Sequence, residues 1–325
     1  MGYGHGMRIL MGGAQRSGTS LLRSIVGSHS SVAFFPYDLT LWTKYRAQWA
    51  GQDCADPASQ RELVAAILAD EKVVIAEDVP TEAEVLRALR NSEGVPAQME
   101  NVFDAFLSAY ATKRGRPIWG LKTPWNEFYA KEILDFYDDA VFIHLIRDPR
   151  ESALSAMYAD GGSWFYDPAL HISRWKKSAQ LAERNSALFG DRYHVVKYED
   201  LAHDPKGTIT RLLPFLGLDY EAGIENGDRQ PGWDGSNSSF SSQTAKKSGP
   251  RPVLPAGLQW LYSQRLATEL EIFGYPASDP TPFVQALGRP LGLLRLAGVF
   301  FIHRGIAAKR FLVRIRASAS QPQKN

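Results

Sequence analysis

Gly13-Ala14-Gln15-Arg16-Ser17-Gly18-Thr19-Ser20 follows a short apolar run, Arg8–Met11, and leads into Ser20–Val26, which has helical spacing. A buried strand that runs into glycines and turns directly into a helix is the frame of a phosphate-binding loop. Consecutive backbone N–H groups and the helix N-terminus make such a turn a cradle for an anion. The frame here has its G-x-x-x-x-G spacing and its final Ser20, but Thr19 stands where a nucleotide triphosphatase has lysine. Arg16, inside the turn, supplies positive charge from another direction. The loop therefore suits a phosphate-like group better than the γ-phosphate of ATP. This weakens a kinase-like phosphotransferase reading and leaves open a nucleotide-binding protein without catalysis.

Outward from the loop, the pattern alternates. Strands are expected at Ile118–Leu121, Val141–Ile146 and His194–Tyr198, and helices near 58–70, 81–90, 97–113, 126–137, 148–158, 168–188 and 201–216. Strands that alternate with helices predict an α/β fold, a mostly parallel sheet flanked by helices. Residues 226–256 are rich in Gly, Pro, Ser and Asn, too long a stretch for a mere connector. The 325 residues carry 37 Lys+Arg against 35 Asp+Glu, and the net +2 argues against a protein that coats nucleic acid. A single cysteine, Cys54, excludes an internal disulfide and a cysteine-rich zinc site. The first apolar run is far too short for the core of a signal peptide, so the expectation is cytoplasmic.

Four short motifs then fall in one order. Arg16-Ser17-Gly18-Thr19-Ser20 resembles the 5′-phosphosulfate loop of sulfotransferases that use 3′-phosphoadenosine 5′-phosphosulfate (PAPS), in the Arg-type version of tyrosylprotein and bacterial carbohydrate or lipid sulfotransferases. Arg147 at a strand end, with Ser155 eight residues on, is similar to that family's 3′-phosphate site. Trp119-Gly120-Leu121-Lys122-Thr123-Pro124 resembles its strand-end lysine element, where the lysine approaches the bridging oxygen and the sulfonate. Val195-Val196-Lys197-Tyr198-Glu199-Asp200-Leu201 is similar to its Tyr-Glu-Asp-Leu strand end, which implies Tyr198 near the adenine. Asn237-Ser238-Ser239-Phe240 with Lys246, Lys247 and Arg251 resembles the segment that closes over the 3′-phosphate, with the choice between the lysines open.

The resemblance implies PAPS as co-substrate, adenosine 3′,5′-bisphosphate as product, and no metal. Arg16 and Lys122 are the expected electrophilic stabilisers, and Ser239 the expected contact to the transferred group. Asp38, 22 residues after Arg16, matches the place of a catalytic Glu in the tyrosylprotein type, with Phe34, Phe35 and Trp42 crowding it. His29 is the second candidate base. The acceptor is expected to be a small molecule, carbohydrate or lipid, and Trp42, Trp49, Trp125 and Trp164-Phe165-Tyr166 either line its cleft or belong to the core.

The charge average conceals two parts. Residues 1–279, the expected sulfotransferase domain, hold 29 Lys/Arg and 35 Asp/Glu, while 280–325 hold eight Lys/Arg and no acid. In that basic extension Ala308, Phe311, Leu312 and Ile315 share a helical face, and Lys309, Arg310 and Arg314 point away from it. Pro290–His303 is apolar but only 14 residues long, too short to span a bilayer. Such an amphipathic element predicts peripheral contact with a membrane surface through 290–316, packing on the acidic body being the alternative.

Overall fold

The computed structural model describes residues 7–49, 54, 56–90, 98–158, 167–227 and 253–276. The elements in chain order are β1 (Arg8–Gly13), α1 (Thr19–Gly27), β2 (Val32–Phe34), α2 (Leu41–Trp49), α3 (Pro57–Leu68), α4 (Glu71–Val74), α5 (Glu82–Arg90) and α6 (Met99–Lys113). There follow β3 (Ile118–Lys122), a 3-10 turn (Asn126–Phe128), α7 (Ala130–Phe136), β4 (Ala140–Ile146), α8 (Pro149–Tyr158), α9 (Pro168–Phe189), β5 (Tyr193–Lys197), α10 (Tyr198–His203), α11 (Pro205–Phe215), α12 (Ala256–Arg265) and α13 (Ala267–Ile272). The chain divides into two compact units. The first runs to Arg147 and resumes at Ser178–Gly249; the second holds Asp148–Lys177 and the residues from Pro250 on.

The first unit contains a five-stranded sheet in the order β2-β3-β1-β4-β5, with every pairing parallel. All residues of β1 and of β4 are buried, as expected of strands covered on both faces. Alternation along β1 sends Leu10 into one apolar cluster and Ile9 and Met11 into the other. Trp42, Phe103, Phe106 and Ile133 lie in the first cluster, so α2, α6 and α7 cover that face. Leu22, Ile25, Leu201, Ile209 and Leu212 lie in the second, from α1, α10 and α11. The α/β architecture expected from the sequence is the architecture observed.

The differences have local causes. β2 was not expected: three residues are too few to show a period, and it forms by pairing with β3. The helix expected at 126–137 is a 3-10 turn, opened by a left-handed Trp125 (φ 74°), followed by α7, with the break at Tyr129, whose backbone (φ -110°, ψ 3°) leaves the helical range. The helix expected at 201–216 is two helices divided at Asp204-Pro205. There the Asp204 carboxylate accepts from the Gly207 N–H (2.9 Å) and Pro205 takes the first helical position.

At the N-terminal end of β1, the Arg8 guanidinium makes two bonds to Asp104 (2.6 and 2.9 Å) and pairs with Asp139. Trp119 Nε1–H donates to the same Asp104 carboxylate (2.9 Å). Burial opposes the Arg8 charge, but Asp104 and Asp139 outweigh it and hold Arg8 above the ordinary arginine value. In the second unit, Ser152 donates to the Pro149 carbonyl, which leaves its oxygen to accept from His171 Nε2–H (3.2 Å). His171 Nδ1 then accepts from Tyr262 (2.8 Å), and burial lowers this imidazole to about 4.

Candidate active site

In a parallel sheet all strand C-termini lie along one edge, and ligands bind in the crevice outside that edge. β1, β3, β4 and β5 end there at Gly13, Lys122, Ile146 and Lys197, so the loop after β1, Lys122, Arg147 and Tyr198 are brought to a common edge by topology alone.

The loop makes a tight turn, Ser17 N–H donating to the Ala14 carbonyl (3.1 Å). Arg16 takes a left-handed conformation (φ 69°), and Gly18 (φ 97°) caps α1. Gly18 is required for two reasons, its φ and the Tyr198 ring, which would lie 2.3 Å from an added Cβ. Ser17 is 1% exposed and its hydroxyl has no hydrogen-bond partner among the described residues. A buried unpaired hydroxyl inside an anion cradle is costly unless a ligand oxygen completes it. Thr19 and Ser20 open α1 and remain partly exposed.

Lys122 ends β3 with 2% exposure. Its ammonium donates to the Asp38 carboxylate and to Ser20 Oγ (3.2 Å). The Asp38 loop is held there by Phe35 N–H on the Gly120 carbonyl (2.9 Å) and by Thr123 Oγ1–H on the Leu39 carbonyl (2.8 Å). Arg23, 3% exposed on α1, approaches Asp38 to 3.9 Å, and its Nε has no hydrogen-bond partner among the described residues. Two buried cations thus share one carboxylate, an excess of positive charge beside the loop. Burial lowers Lys122 below the ordinary lysine range, with Asp38 pulling it up and Arg23 adding to the fall. Burial likewise lowers Arg23, against the pull of Asp38.

Arg147 donates to the Arg16 carbonyl (3.2 Å), and its guanidinium lies 4.2 Å from the centre of the Tyr198 ring. Tyr198 opens α10, packed against Gly18 on one side and Arg147 on the other. Ser155 lies on α8, in the second unit. Ser239, Lys246, Lys247, Arg251, Trp164-Phe165-Tyr166 and residues 280–325 lie outside the described residues.

Several expectations take a different form. The Asp38 carboxylate is met by Lys122 and Arg23, while Phe34 belongs to one apolar cluster and Phe35 and Trp42 to the other. His29 is a turn residue: Nδ1 accepts from Ser31 N–H (3.0 Å), so Nε2–H donates to the Asp219 carbonyl (3.1 Å). Trp42 and Trp49 are core, and Trp125 stacks on Phe128 with ring centres 5.5 Å apart. Arg23 and Glu127 escaped sequence reading. Arg23 carried one signal, a basic residue three positions after Ser20 on the apolar helix Leu21–Val26. Glu127 carried none beyond its place just after Lys122-Thr123-Pro124.

With this geometry in place, the family model described as "Sulfotransferase family" matches residues 8–222. An omega-hydroxy-beta-dihydromenaquinone-9 sulfotransferase, Stf3 of Mycobacterium tuberculosis, is 28% identical over 116 residues, 31% of this chain and 29% of that protein. Carbohydrate sulfotransferase 5 of Mus musculus is 33% identical over 96 residues, 23% of this chain and 24% of that protein. The chain thus spans under a third of the length of the curated relatives it matches. Among solved structures, the sulfotransferase domain of the Synechococcus PCC 7002 olefin synthase aligns with TM-score 0.51 and 18% identity, over 84% of this chain and 97% of that one. The sulfotransferase domain from the curacin biosynthetic pathway aligns with the same TM-score and 16% identity, over 84% and 99%. Both likenesses concern the fold.

Proposed function

The chain belongs to the sulfotransferase family, and from that premise we propose that it moves a sulfuryl group from PAPS to an acceptor hydroxyl by in-line displacement. The observation that carries this reading is the Lys122–Asp38 pair set beside Ser20 and the phosphate loop. Asp38 takes the proton of the acceptor hydroxyl as its oxygen bonds to sulfur. Lys122 and Arg16 face the negative charge that grows on the leaving phosphate as the bridging S–O bond breaks, which yields adenosine 3′,5′-bisphosphate. The loop N–H groups and the Ser17 hydroxyl hold the 5′-phosphosulfate. Arg147, with Ser155, is assigned to the 3′-phosphate, and Tyr198 to the adenine edge of the site. Ser239 is proposed to touch the transferred group, and Lys246 or Lys247 to close over the 3′-phosphate. The scheme calls on no metal.

Thermal stabilisation tests the donor. At a ligand concentration 100 times Kd, a one-site ligand adds about 2.7 kcal/mol of stability, a shift of several degrees. Adenosine 3′,5′-bisphosphate is expected to shift the melting curve well beyond ADP or ATP at equal concentration. A preference for ATP overturns the reading in favour of a kinase-like enzyme.

For the acceptor we propose a lipid-linked hydroxyl, with the enzyme peripheral at the cytoplasmic membrane surface. Two observations support this, the basic amphipathic pattern of 290–316 and the menaquinone-directed name of one relative. No helix among the described residues is long and apolar enough to cross a membrane. Flotation with anionic liposomes is expected to carry the full chain upward and to leave a chain lacking 281–325 behind. Each cation near an anionic leaflet contributes roughly 1 kcal/mol. Equal recovery of the two proteins sinks the membrane reading.

A further inference from the structure

Behind the phosphate loop lies a fully buried carboxyl group that the transfer chemistry does not use. Glu127, 0% exposed, sits in the 3-10 turn after β3. One oxygen accepts from the Gly13 N–H (2.8 Å), the residue at which β1 becomes the loop. The approach is tight, since a Cβ added at neighbouring Gly12 would lie 2.7 Å from the Glu127 nitrogen and 2.9 Å from its Oε2.

The other oxygen ends a chain of buried side chains. Ser178 Oγ–H donates to Glu127 Oε1 (3.0 Å), which leaves the Ser178 oxygen to accept from His144 Nε2–H (3.0 Å). His144 Nδ1 is then the acceptor for the Tyr193 hydroxyl (2.6 Å). Every donor in this chain points toward the carboxylate. Serine, neutral imidazole and tyrosine can each give or take a hydrogen bond, so the chain can also run the other way. In that state Glu127 Oε1–H donates to Ser178, Ser178 to His144 Nε2, and His144 Nδ1–H to Tyr193, whose own O–H turns from His144 toward Asn185. Glu127 Oε2 still accepts from Gly13. Both protonation states of the carboxyl are therefore satisfied without moving the loop.

We propose that Glu127 is a positioning residue of the phosphate loop that takes up a proton from solvent when the anionic donor binds. This rests on the donor reading above. A second negative charge arriving in the loop that Gly13 opens disfavours an ionised carboxylate behind it. Burial has already pushed Glu127 up to about 7, so a modest further push protonates it near neutrality. The groups that face it are the backbone of Gly13, of Trp125 and of Glu127 itself, which favour the ionised form, and Ser178 of α9, with His144 of β4 and Tyr193 of β5 beyond it. His144 is lowered to about 3 by burial and stays neutral. Burial raises Tyr193 far above the ordinary tyrosine range, where it stays protonated, and Arg184 of α9 is the charged side chain beside it.

Calorimetry of adenosine 3′,5′-bisphosphate binding at pH 7, in two buffers of different ionisation enthalpy, tests the linkage. The wild-type chain is expected to take up roughly 0.4 proton more than the Glu127→Gln variant. Its affinity is expected to fall roughly five- to tenfold more than the variant's between pH 6 and pH 8. A role in folding alone would move neither difference, and equal uptake with parallel pH curves overturns the proposal. Infrared difference spectra of the wild-type chain need no variant to fold. Addition of the bisphosphate is expected to produce the C=O band of a protonated carboxyl, and binding without that band also overturns the proposal. Absence of any bisphosphate binding removes the donor reading itself, and this inference with it.

Discussion

Replacing Lys122 with methionine is expected to slow sulfuryl transfer by about 100- to 1,000-fold, the loss typical when one preorganised donor to a developing oxyanion is removed. The fold should survive. Lys122 is 2% exposed, and its ammonium is desolvated against Asp38 and Arg23. Removing one member of a buried pair costs about 3–5 kcal/mol when the other is left buried, and less when the partner reaches water. The stranded Asp38 carboxylate is 40% exposed, retains water, and still faces Arg23 at 3.9 Å. The melting temperature is therefore expected to hold or fall by a few degrees while transfer of radiolabelled sulfate from PAPS onto a lipid extract collapses. Asp38→Asn gives the comparison: a lost general base costs roughly 100- to 10,000-fold, with adenosine 3′,5′-bisphosphate affinity retained. Because the two side chains act on one transfer, the double variant should lose far less than the product of the single losses. Unchanged turnover in Lys122→Met would remove Lys122 from the chemistry.

Asp104→Ala is the change expected to damage the fold most. It strips Arg8 of a two-bond partner and Trp119 of its acceptor, and leaves a buried guanidinium with Asp139 alone. Breaking a buried pair on one side costs about 3–5 kcal/mol. For a chain this size that corresponds to a fall of roughly 4–7 °C in melting temperature. Removing both charges, in Arg8→Met with Asp104→Leu, should recover much of the loss, since no buried charge is left stranded and the remaining Asp139 carboxylate is 39% exposed. Arg8 lies at the N-terminal end of β1 and the phosphate loop at the other, so activity measured well below the transition should change little. A melting temperature within two degrees of wild type, roughly the shift of a change under 1 kcal/mol, would contradict this account.

What the sequence made readable was what is local. The phosphate loop declares itself within eight residues, and the long buried strand β4 announces itself as an apolar run. Lys122 and Arg147 could be placed because each follows a strand end, and parallel pairing puts strand ends together. β2 was hidden because three residues carry no period and its stability comes from β3. Arg23 and Glu127 were hidden for a different reason. Their surroundings consist of residues far away in the chain, Asp38 for one and Gly13 and Ser178 for the other. The same holds for the environment of Asp38. Neighbouring Phe34, Phe35 and Trp42 suggested an apolar setting, but those side chains turn into the two cores, and Lys122, 84 residues on, supplies the contact.

The central position of β1 has a consequence for how the protein is made. β1 leaves the ribosome well before both its neighbours in the sheet, β3 from Ile118 and β4 from Ala140. At about 5–20 residues per second, an apolar strand with two open edges waits roughly 5–25 s for its first partner. Over that interval Ile9, Leu10 and Met11 have helices α1 to α6 to pack on but no neighbouring strand to pair with. The nascent chain is most exposed to misassembly in the segment proposed to hold the donor, so translation speed and chaperone supply should weigh on the yield of correctly folded chain as well as the stability of the finished fold.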